Sequence, residues 1–403
     1  MKPFDYQEEG ISFLISNERC LLADSMGLGK TLQAIIACQR LNLKNILVIC
    51  PAALRLNWIN EIKKWWHEGL DNFEIVSYNF CQVNEKVETL TNKSYDVLLC
   101  DEAHALKSWK STQTQNIIMK VSKVCKRIWL MTGTPATKSA ADYHPILSVL
   151  EPGKHGKFKV FCEEFCYKKK GFGFPGAIQY YGFKNNEKLK DMVGAISLRR
   201  LKKDVLKELP SKIYSRITVD IESEKVTPED CELVRLAFER GNADMAIATK
   251  LREIGMKKVR SALNFIQSIE EPLIVFCWHV DVIKQLINSC NKDCAAIYGA
   301  IDASKKQKIV ESFQAGDLEV LFVNIAAGGV GITLTKSNHI LFVEPCWSPA
   351  MMLQAEDRAH RIGQAAECVN IYHMVAENTV DEAVFDCLDM KRRGIESVMA
   401  ADI

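Results

Sequence analysis

The sequence predicts an α/β chain of two doubly wound parallel-sheet lobes with a helical insert between them, on three observations. Short, wholly apolar runs recur at 46–49, 97–100 and 128–131, and again at 273–276, 320–323 and 340–343. Strands buried on both faces read as continuous apolar runs, and the helical patterns between these runs supply the crossovers that parallel strands need. The stretches richest in Gly, Asp, Glu and Arg fall just after the runs, at the carboxyl ends of strands, where open parallel sheets bind ligands. A chain of 403 residues has room for two or three domains. They are expected as a first lobe over 1–150, a helical insert and basic linker over 151–255, and a second lobe with a terminal helix over 256–403.

Composition narrows the class. Apolar residues at 48% and charged residues at 25% are those of ordinary globular protein. No apolar run approaches a membrane span, and Met1-Lys2-Pro3-Phe4-Asp5 begins no signal peptide. Most of the fifteen cysteines sit in apolar runs and none forms a C-x-x-C pair, which predicts reduced thiols and an intracellular protein, nuclear or cytoplasmic. The net charge of +2 predicts no general attraction to polyanions. Between Lys154 and Lys212, however, fifteen Lys/Arg face six Asp/Glu. That excess fits a solvated face and a basic wall along a nucleic-acid path about equally.

In chain order, Gln7 comes first, in Phe4-Asp5-Tyr6-Gln7-Glu8-Glu9-Gly10; its amide offers a donor and an acceptor that together match the edges of adenine. The apolar run Cys20–Ala23 then opens into Asp24-Ser25-Met26-Gly27-Leu28-Gly29-Lys30-Thr31, followed by a helical pattern to Leu41. A strand, a Gly turn and a helix beginning Lys-Thr make a phosphate cradle, with backbone N–H groups and the helix N-terminus aimed at one anion. Lys30 is suited to the β- and γ-phosphates of ATP and Thr31 to Mg²⁺, while Asp24 stands where the strict motif has Gly. Further on, Trp58–Trp66 reads as a helix whose aromatic stripe is core.

The strand at 97–100 runs into Asp101-Glu102-Ala103-His104. There Asp101 would hold Mg²⁺, directly or through water, and Glu102 would orient and deprotonate the attacking water. After 128–131 come Thr132-Gly133-Thr134-Pro135, whose hydroxyls Thr132 and Thr134 suit γ-phosphate sensing and relay to a bound strand. The insert contains an amphipathic basic segment, Leu198–Pro210, then a helical pattern from Glu222 to Leu263. In the second lobe, Gly328, Gly329 and Gly331 form a Gly-rich turn with no Lys after it, suited to backbone contact with nucleic-acid phosphates. Finally, Arg358 and Arg361 lie three apart and are expected on one helical face as arginine fingers, worth roughly 10³–10⁵ in turnover.

This ordered set of motifs resembles the Swi/Snf-type ATPases of helicase superfamily two, which are double-stranded DNA translocases with two RecA-like lobes. Asp357-Arg358-Ala359-His360-Arg361-Ile362-Gly363-Gln364 and Leu198-Arg199-Arg200 through Leu209-Pro210 are the stretches most specific to it. Within the family, Pro345–Gln364 and Leu251–Val259 are most similar to the annealing-helicase branch. The resemblance implies adenine contact by Gln7, and phosphate and Mg²⁺ binding in the loop of Asp24, Met26, Gly27, Leu28, Gly29, Lys30 and Thr31. It further implies catalysis by Asp101 and Glu102, finger roles for Arg358 and Arg361, and a place near the γ-phosphate for Gln354. It implies ATP and Mg²⁺ as cofactors, duplex DNA, forked or branched forms included, as partner, and a monomeric motor without flanking domains. Ser25 stands where the family has Glu, and Lys138 where Asn is common. Neither change removes a phosphate ligand.

Two other functions fit parts of the pattern. A strand-separating helicase is one, including the DEAH-type RNA helicases that residues 101–104 suggest. Those carry large domains after the arginine motif, whereas 39 residues follow Gln364 here. The other is a nucleotide-gated DNA-binding module without turnover, in which at least one of Lys30, Asp101, Glu102, Arg358 and Arg361 should have been lost.

Overall fold

The computed structural model describes residues 2–133, 139–170, 178–206, 209–240, 245–328, 332–361 and 363–400. The chain divides into two compact units, residues 1–207 and 208–403. Each is built on a six-stranded sheet whose pairings are all parallel, as the apolar runs predict.

In the first unit the strands are β1 (Arg19–Leu22), β2 (Ile46–Cys50), β3 (Phe73–Ser77), β4 (Tyr95–Asp101), β5 (Cys125–Met131) and, after the antiparallel pair β6 (Tyr167–Lys170) and β7 (Ile178–Tyr181), β8 (Ser197–Leu198). The sheet order is β3-β2-β4-β5-β1-β8. Every residue of β2 is buried, as befits a central strand covered on both faces. Helices α1 (Asp5–Ser16), α2 (Lys30–Arg40) and α3 (Arg55–Trp65) pack around it, and α3 buries Trp58 and Ile62, four residues apart on one face.

The second unit holds β9 (Ser211–Val219), β10 (Leu273–Cys277), β11 (Cys294–Ile297), β12 (Val320–Asn324), β13 (His339–Phe342) and β14 (Cys368–Ala376), ordered β11-β12-β10-β13-β14-β9. Helices α4 (Met245–Ser268), α5 (Pro349–Glu356) and α6 (Val380–Ala400) belong to it. The buried stripe of α4 is Leu251, Ile254, Lys258, Ala262 and Ile266, at helical spacing but with a lysine in the middle.

Residues 151–255 differ from the helical insert and linker expected of them. They contain β6 to β9 as well as helices, and the boundary between the units falls inside them. Two causes hide β8 and β9 in the sequence. β8 is only two residues long, and β9 (Ser-Lys-Ile-Tyr-Ser-Arg-Ile-Thr-Val) is an edge strand that is largely exposed, so it has no continuous apolar run.

Candidate nucleotide site

Three of the expected motifs stand at the carboxyl ends of three consecutive strands of the first sheet. The Gly loop follows β1, Thr132 and Gly133 follow β5, and Asp101 ends β4 with Glu102 directly after it. Gly27 and Gly29 have φ of 80° and 77°, the left-handed region where a side chain is strained, and Gly29 caps α2. Lys30 and Thr31 form the first turn of α2. Lys30 folds back over the loop, its Nζ donating to the backbone oxygens of Asp24 at 2.7 Å and Ser25 at 3.3 Å. Gly133 abuts the loop so closely that a Cβ there would lie 2.8 Å from Met26 Cγ.

Gln7 is buried against the same loop. Its Nε2 donates to Leu28 O at 3.2 Å, and its Oε1 accepts the Phe4 N–H at 3.0 Å. Gln7 therefore caps the start of α1 while holding the loop's backbone, a role that Gln at the third helical position commonly takes.

The loop rests on a residue whose part the sequence did not disclose. Asp24 is fully buried, and Arg200, from the segment after β8, grips it with both branches of its guanidinium: Nε to Oδ1 at 3.0 Å and Nη2 to Oδ2 at 2.5 Å. Gln33 Nε2 adds a bond to Asp24 Oδ2 at 3.2 Å and one to Leu28 O at 3.1 Å. Arg200 Nη1 also donates to Tyr6 O, and the guanidinium lies 5.5 Å from the Tyr6 ring centroid. The only sequence signal was the Leu-Arg-Arg stretch, read there as a basic surface. Its second arginine is instead largely buried, at 10% side-chain exposure.

Asp101 is nearly buried and rigidly held. Trp58 Nε1 donates to its Oδ2 at 2.9 Å, the Glu102 N–H to its Oδ1 at 2.9 Å, and the Tyr78 hydroxyl to its backbone oxygen at 2.9 Å. Burial and the adjacent Glu102 charge push its carboxyl up to about 6, against the pull of the Trp58 bond and the Lys30 ammonium. Glu102 has φ of 50°, a conformation costing a non-Gly residue roughly 1–2 kcal/mol. His104 Nδ1 lies 3.2 Å from Glu102 Oε2 and 3.2 Å from Thr132 Oγ1, so one imidazole joins the motifs after β4 and β5. Thr31 and Asp101 offer hard oxygens of the type Mg²⁺ takes, and a carboxyl raised to about 6 by burial and like charge is one that a divalent cation would favour in its ionised form.

In the second unit the arginine motif is arranged differently from expectation. Helix α5 ends at Glu356, so Arg358 and Arg361 lie in the turns beyond it and not on one helical face. They converge nonetheless: Nη1 of each approaches Ile332 O at 3.4 Å, and Arg361 Nη1 donates to Thr333 Oγ1 at 2.9 Å. Lys212, at the start of β9, fixes the turn by donating to Glu356 at 2.8 Å and Asp357 at 3.3 Å. Burial pulls the Lys212 ammonium down, but these two carboxylates outweigh it and hold it above the ordinary lysine range. Gln354 is half-buried on α5, and Gly328 ends a four-residue helix after β12. Thr134, Lys138, Gly329 and Gly331 lie outside the described residues.

A parallel-sheet unit with a Lys-Thr loop and a carboxylate pair at neighbouring strand ends, followed by a second parallel-sheet unit with paired arginines, defines the helicase-like ATPase class. The SNF2-related domain matches residues 6–79 and 67–227, and the helicase conserved C-terminal domain matches residues 256–363. The chain belongs to the SNF2-related family. It is 28% identical over 429 residues to the DNA annealing helicase and endonuclease ZRANB3 of Homo sapiens, covering 97% of this chain and 40% of that protein. It is 29% identical over 425 residues to the SWI/SNF-related matrix-associated actin-dependent regulator of chromatin subfamily A-like protein 1 of Xenopus tropicalis, covering 96% of this chain and 44% of that protein. The chain thus spans less than half the length of these relatives. Among solved structures, it is similar to the Sulfolobus solfataricus SWI2/SNF2 ATPase core in complex with dsDNA, with a TM-score of 0.46 and 22% identity, covering 100% of this chain and 93% of that chain.

Proposed function

We propose that the chain hydrolyses ATP with Mg²⁺ in a DNA-stimulated reaction and uses the cycle to move along double-stranded DNA, remodelling DNA or protein–DNA complexes. The observation that carries this reading is the convergence of Lys30, Thr31, Asp101, Glu102 and Thr132 at the ends of β1, β4 and β5, with Asp101 and the loop each held by buried partners. In this reading Lys30 and the loop N–H groups bind the phosphates, and Gln7 adjoins the adenine. Thr31 and Asp101 would hold Mg²⁺, which when bound offsets phosphate charge. Glu102 orients the attacking water and accepts its proton, with His104 relaying its state to Thr132. Arg358 and Arg361 answer the charge that develops on the transferred phosphoryl group, and Gln354 acts near the γ-phosphate. Thr132, Thr134 and the Gly328–Gly331 turn contact DNA phosphates and sugars, which gives tracking without base readout.

DNA as substrate draws support from the human relative, whose name is that of a DNA annealing helicase and endonuclease. The test is ATP turnover alone and with duplex, single-stranded or forked DNA, or RNA, followed by displacement of a third strand from a triplex. Duplex-stimulated turnover with triplex displacement, the arm of a forked duplex staying paired, is the expected result. Separation of that arm with the triplex left intact would reassign the chain as a strand-separating helicase. Nucleotide binding without turnover would make it a nucleotide-gated module.

A further inference from the structure

We propose that Arg200 is a positioning residue: by occupying the Asp24 carboxylate, it keeps Lys30 available for nucleotide phosphates. The proposal rests on the nucleotide reading above and adds to it a residue remote in sequence.

The loop contains an electrostatic conflict. Asp24 puts a carboxylate, fully buried, at the base of a loop that is to bind an anion. Lys30, the cation meant for that anion, already lies 2.7 Å from the backbone oxygen of the same Asp24. An unsatisfied carboxylate there would compete with phosphate for Lys30, because a buried charge takes whatever counter-ion can reach it. A lysine stem is flexible enough to turn from the carbonyl of a residue to its carboxylate.

Arg200 removes that competition. Its forked guanidinium meets both oxygens of Asp24, the bidentate geometry that guanidinium and carboxylate match best. Further contacts fix the fork in place: Nη2 to Gln33 Oε1 at 3.1 Å, Nη1 to Tyr6 O and to Glu9 Oε2 at 3.5 Å, the face of the Tyr6 ring, and the backbone bond from Ser25 N to Arg200 O at 2.9 Å. Space is reserved for it as well. A Cβ at Gly10 would fall 2.6 Å from Arg200 Nη2 and 1.7 Å from Gln33 Oε1. The segment after β8 thus reaches under the phosphate loop and neutralises the one residue there that opposes its ligand.

The consequence is an unusual pattern among variants. Arg200→Ala leaves Asp24 charged and should weaken binding of a fluorescent ATP analogue with Mg²⁺ by about 10- to 100-fold, since Lys30 is drawn to the carboxylate. Removing the competing charge as well, in the Asp24→Asn/Arg200→Ala double variant, should restore affinity to within about threefold of native. Arg200→Lys, a cation without the fork, should fall between. A purely structural arginine predicts that affinity and thermal stability fall and recover together across the variants, and an arginine that touches nucleotide directly predicts a double variant no better than the single.

The experiment is a titration of the full chain and its three variants with the analogue, paired with thermal unfolding in the same buffer. Weakened binding by Arg200→Ala at a temperature where it stays folded, with rescue by the double variant, supports the proposal, and affinity that only follows the unfolded fraction overturns it. If Arg200→Ala fails to fold, Arg200→Lys takes its place in the same comparison. A double variant that is unfolded, or that binds as weakly as Lys30→Ala, overturns the proposal. Native affinity in Arg200→Ala overturns it too and leaves the functional reading intact. A native chain that binds no ATP analogue overturns both.

Discussion

Lys258 offers a measurable test of how the second unit is held together. It lies in the apolar stripe of α4 with no solvent exposure, and its Nζ donates to Asp381 Oδ2 at 2.8 Å and to Met374 O at 3.0 Å. Asp381 is 2% exposed and its Oδ2 also accepts the Ala376 N–H at 2.9 Å. Lys258→Met preserves most of the stem's packing but strands the Asp381 charge. Breaking a buried pair from one side costs about 3–5 kcal/mol. Replacing both ends, with Lys258→Met and Asp381→Asn, removes the charge while Asn still accepts from Ala376, so most of that stability should be recovered. A chain of two units need not unfold in one step, so the assay is amide hydrogen exchange followed on peptides covering 251–266 and 368–388. At a destabilisation of about 3 kcal/mol the slowest amides there should exchange about 100-fold faster in the single variant. Protection equal to native in Lys258→Met, or a double variant weaker than the single, would refute the reasoning.

Three other outcomes follow from the site. Arg361→Ala should still bind ATP while turnover falls by roughly 10³–10⁵, because a finger acts on transition-state charge; turnover at the native rate would remove the arginine from the mechanism. Asp101, at about 6, takes up its proton in the folded chain well before it does in the unfolded chain, at about 4. Its contribution to stability therefore rises as pH falls between those values, whereas the ionised form that would hold Mg²⁺ is lost. At limiting Mg²⁺, ATP turnover should decline as pH falls through about 6 with the fold retained, and the decline should move to lower pH as Mg²⁺ is raised; a profile flat down to about pH 5 at every Mg²⁺ concentration would contradict this. Changing the exposed lysines Lys157, Lys159 and Lys168 to Glu should weaken DNA binding and flatten its salt dependence by roughly one unit for each phosphate-binding lysine removed; an unchanged slope would mean that these charges are a solvated face.

The parallel sheets were legible because β2, β4, β5, β10 and β12 are buried on both faces and spell themselves as apolar runs. Local motifs were legible for a related reason. Gly29, Lys30 and Thr31 act through backbone geometry set within a few residues, so their spacing discloses their arrangement. Pairing across the chain was not. Arg200 and Lys212 lie in a run whose charge excess suggested a surface, yet each has a buried carboxylate partner. Lys154 and Lys188 pair with Glu151 and Glu164 in turn. Counting charge leaves partners out: Arg200, Lys212 and Lys154 are matched by Asp24, Glu356 and Glu151, all outside the run, so the excess overstates its unmatched charge. The arginine turn failed for another reason: a three-residue spacing implies one face only while the helix lasts, and α5 ends before Arg358.

The buried cations also explain how two sheets of similar apolar strands keep distant segments in register. Asp24 and Arg200 are 176 positions apart, Lys212 and Glu356 are 144, and Lys258 and Asp381 are 123. Taking such charges out of water costs several kcal/mol per ion, and apolar replacements are often as stable, so net stability is a weak reason for their presence. Register is a better one. An apolar stripe can slide by a turn and still be buried, whereas a buried cation must keep its carboxylate within hydrogen-bond reach, and the Arg200 fork meets both oxygens of Asp24 in one position only. Two of the three pairs, moreover, flank the boundary at residues 207 and 208, one inside each unit. On the first side the anchor is under the loop of residues 24–31. On the second it is under the turn of Arg358 and Arg361. The segment that joins the units is thereby fixed, at each end, to the residues on which the proposed chemistry depends.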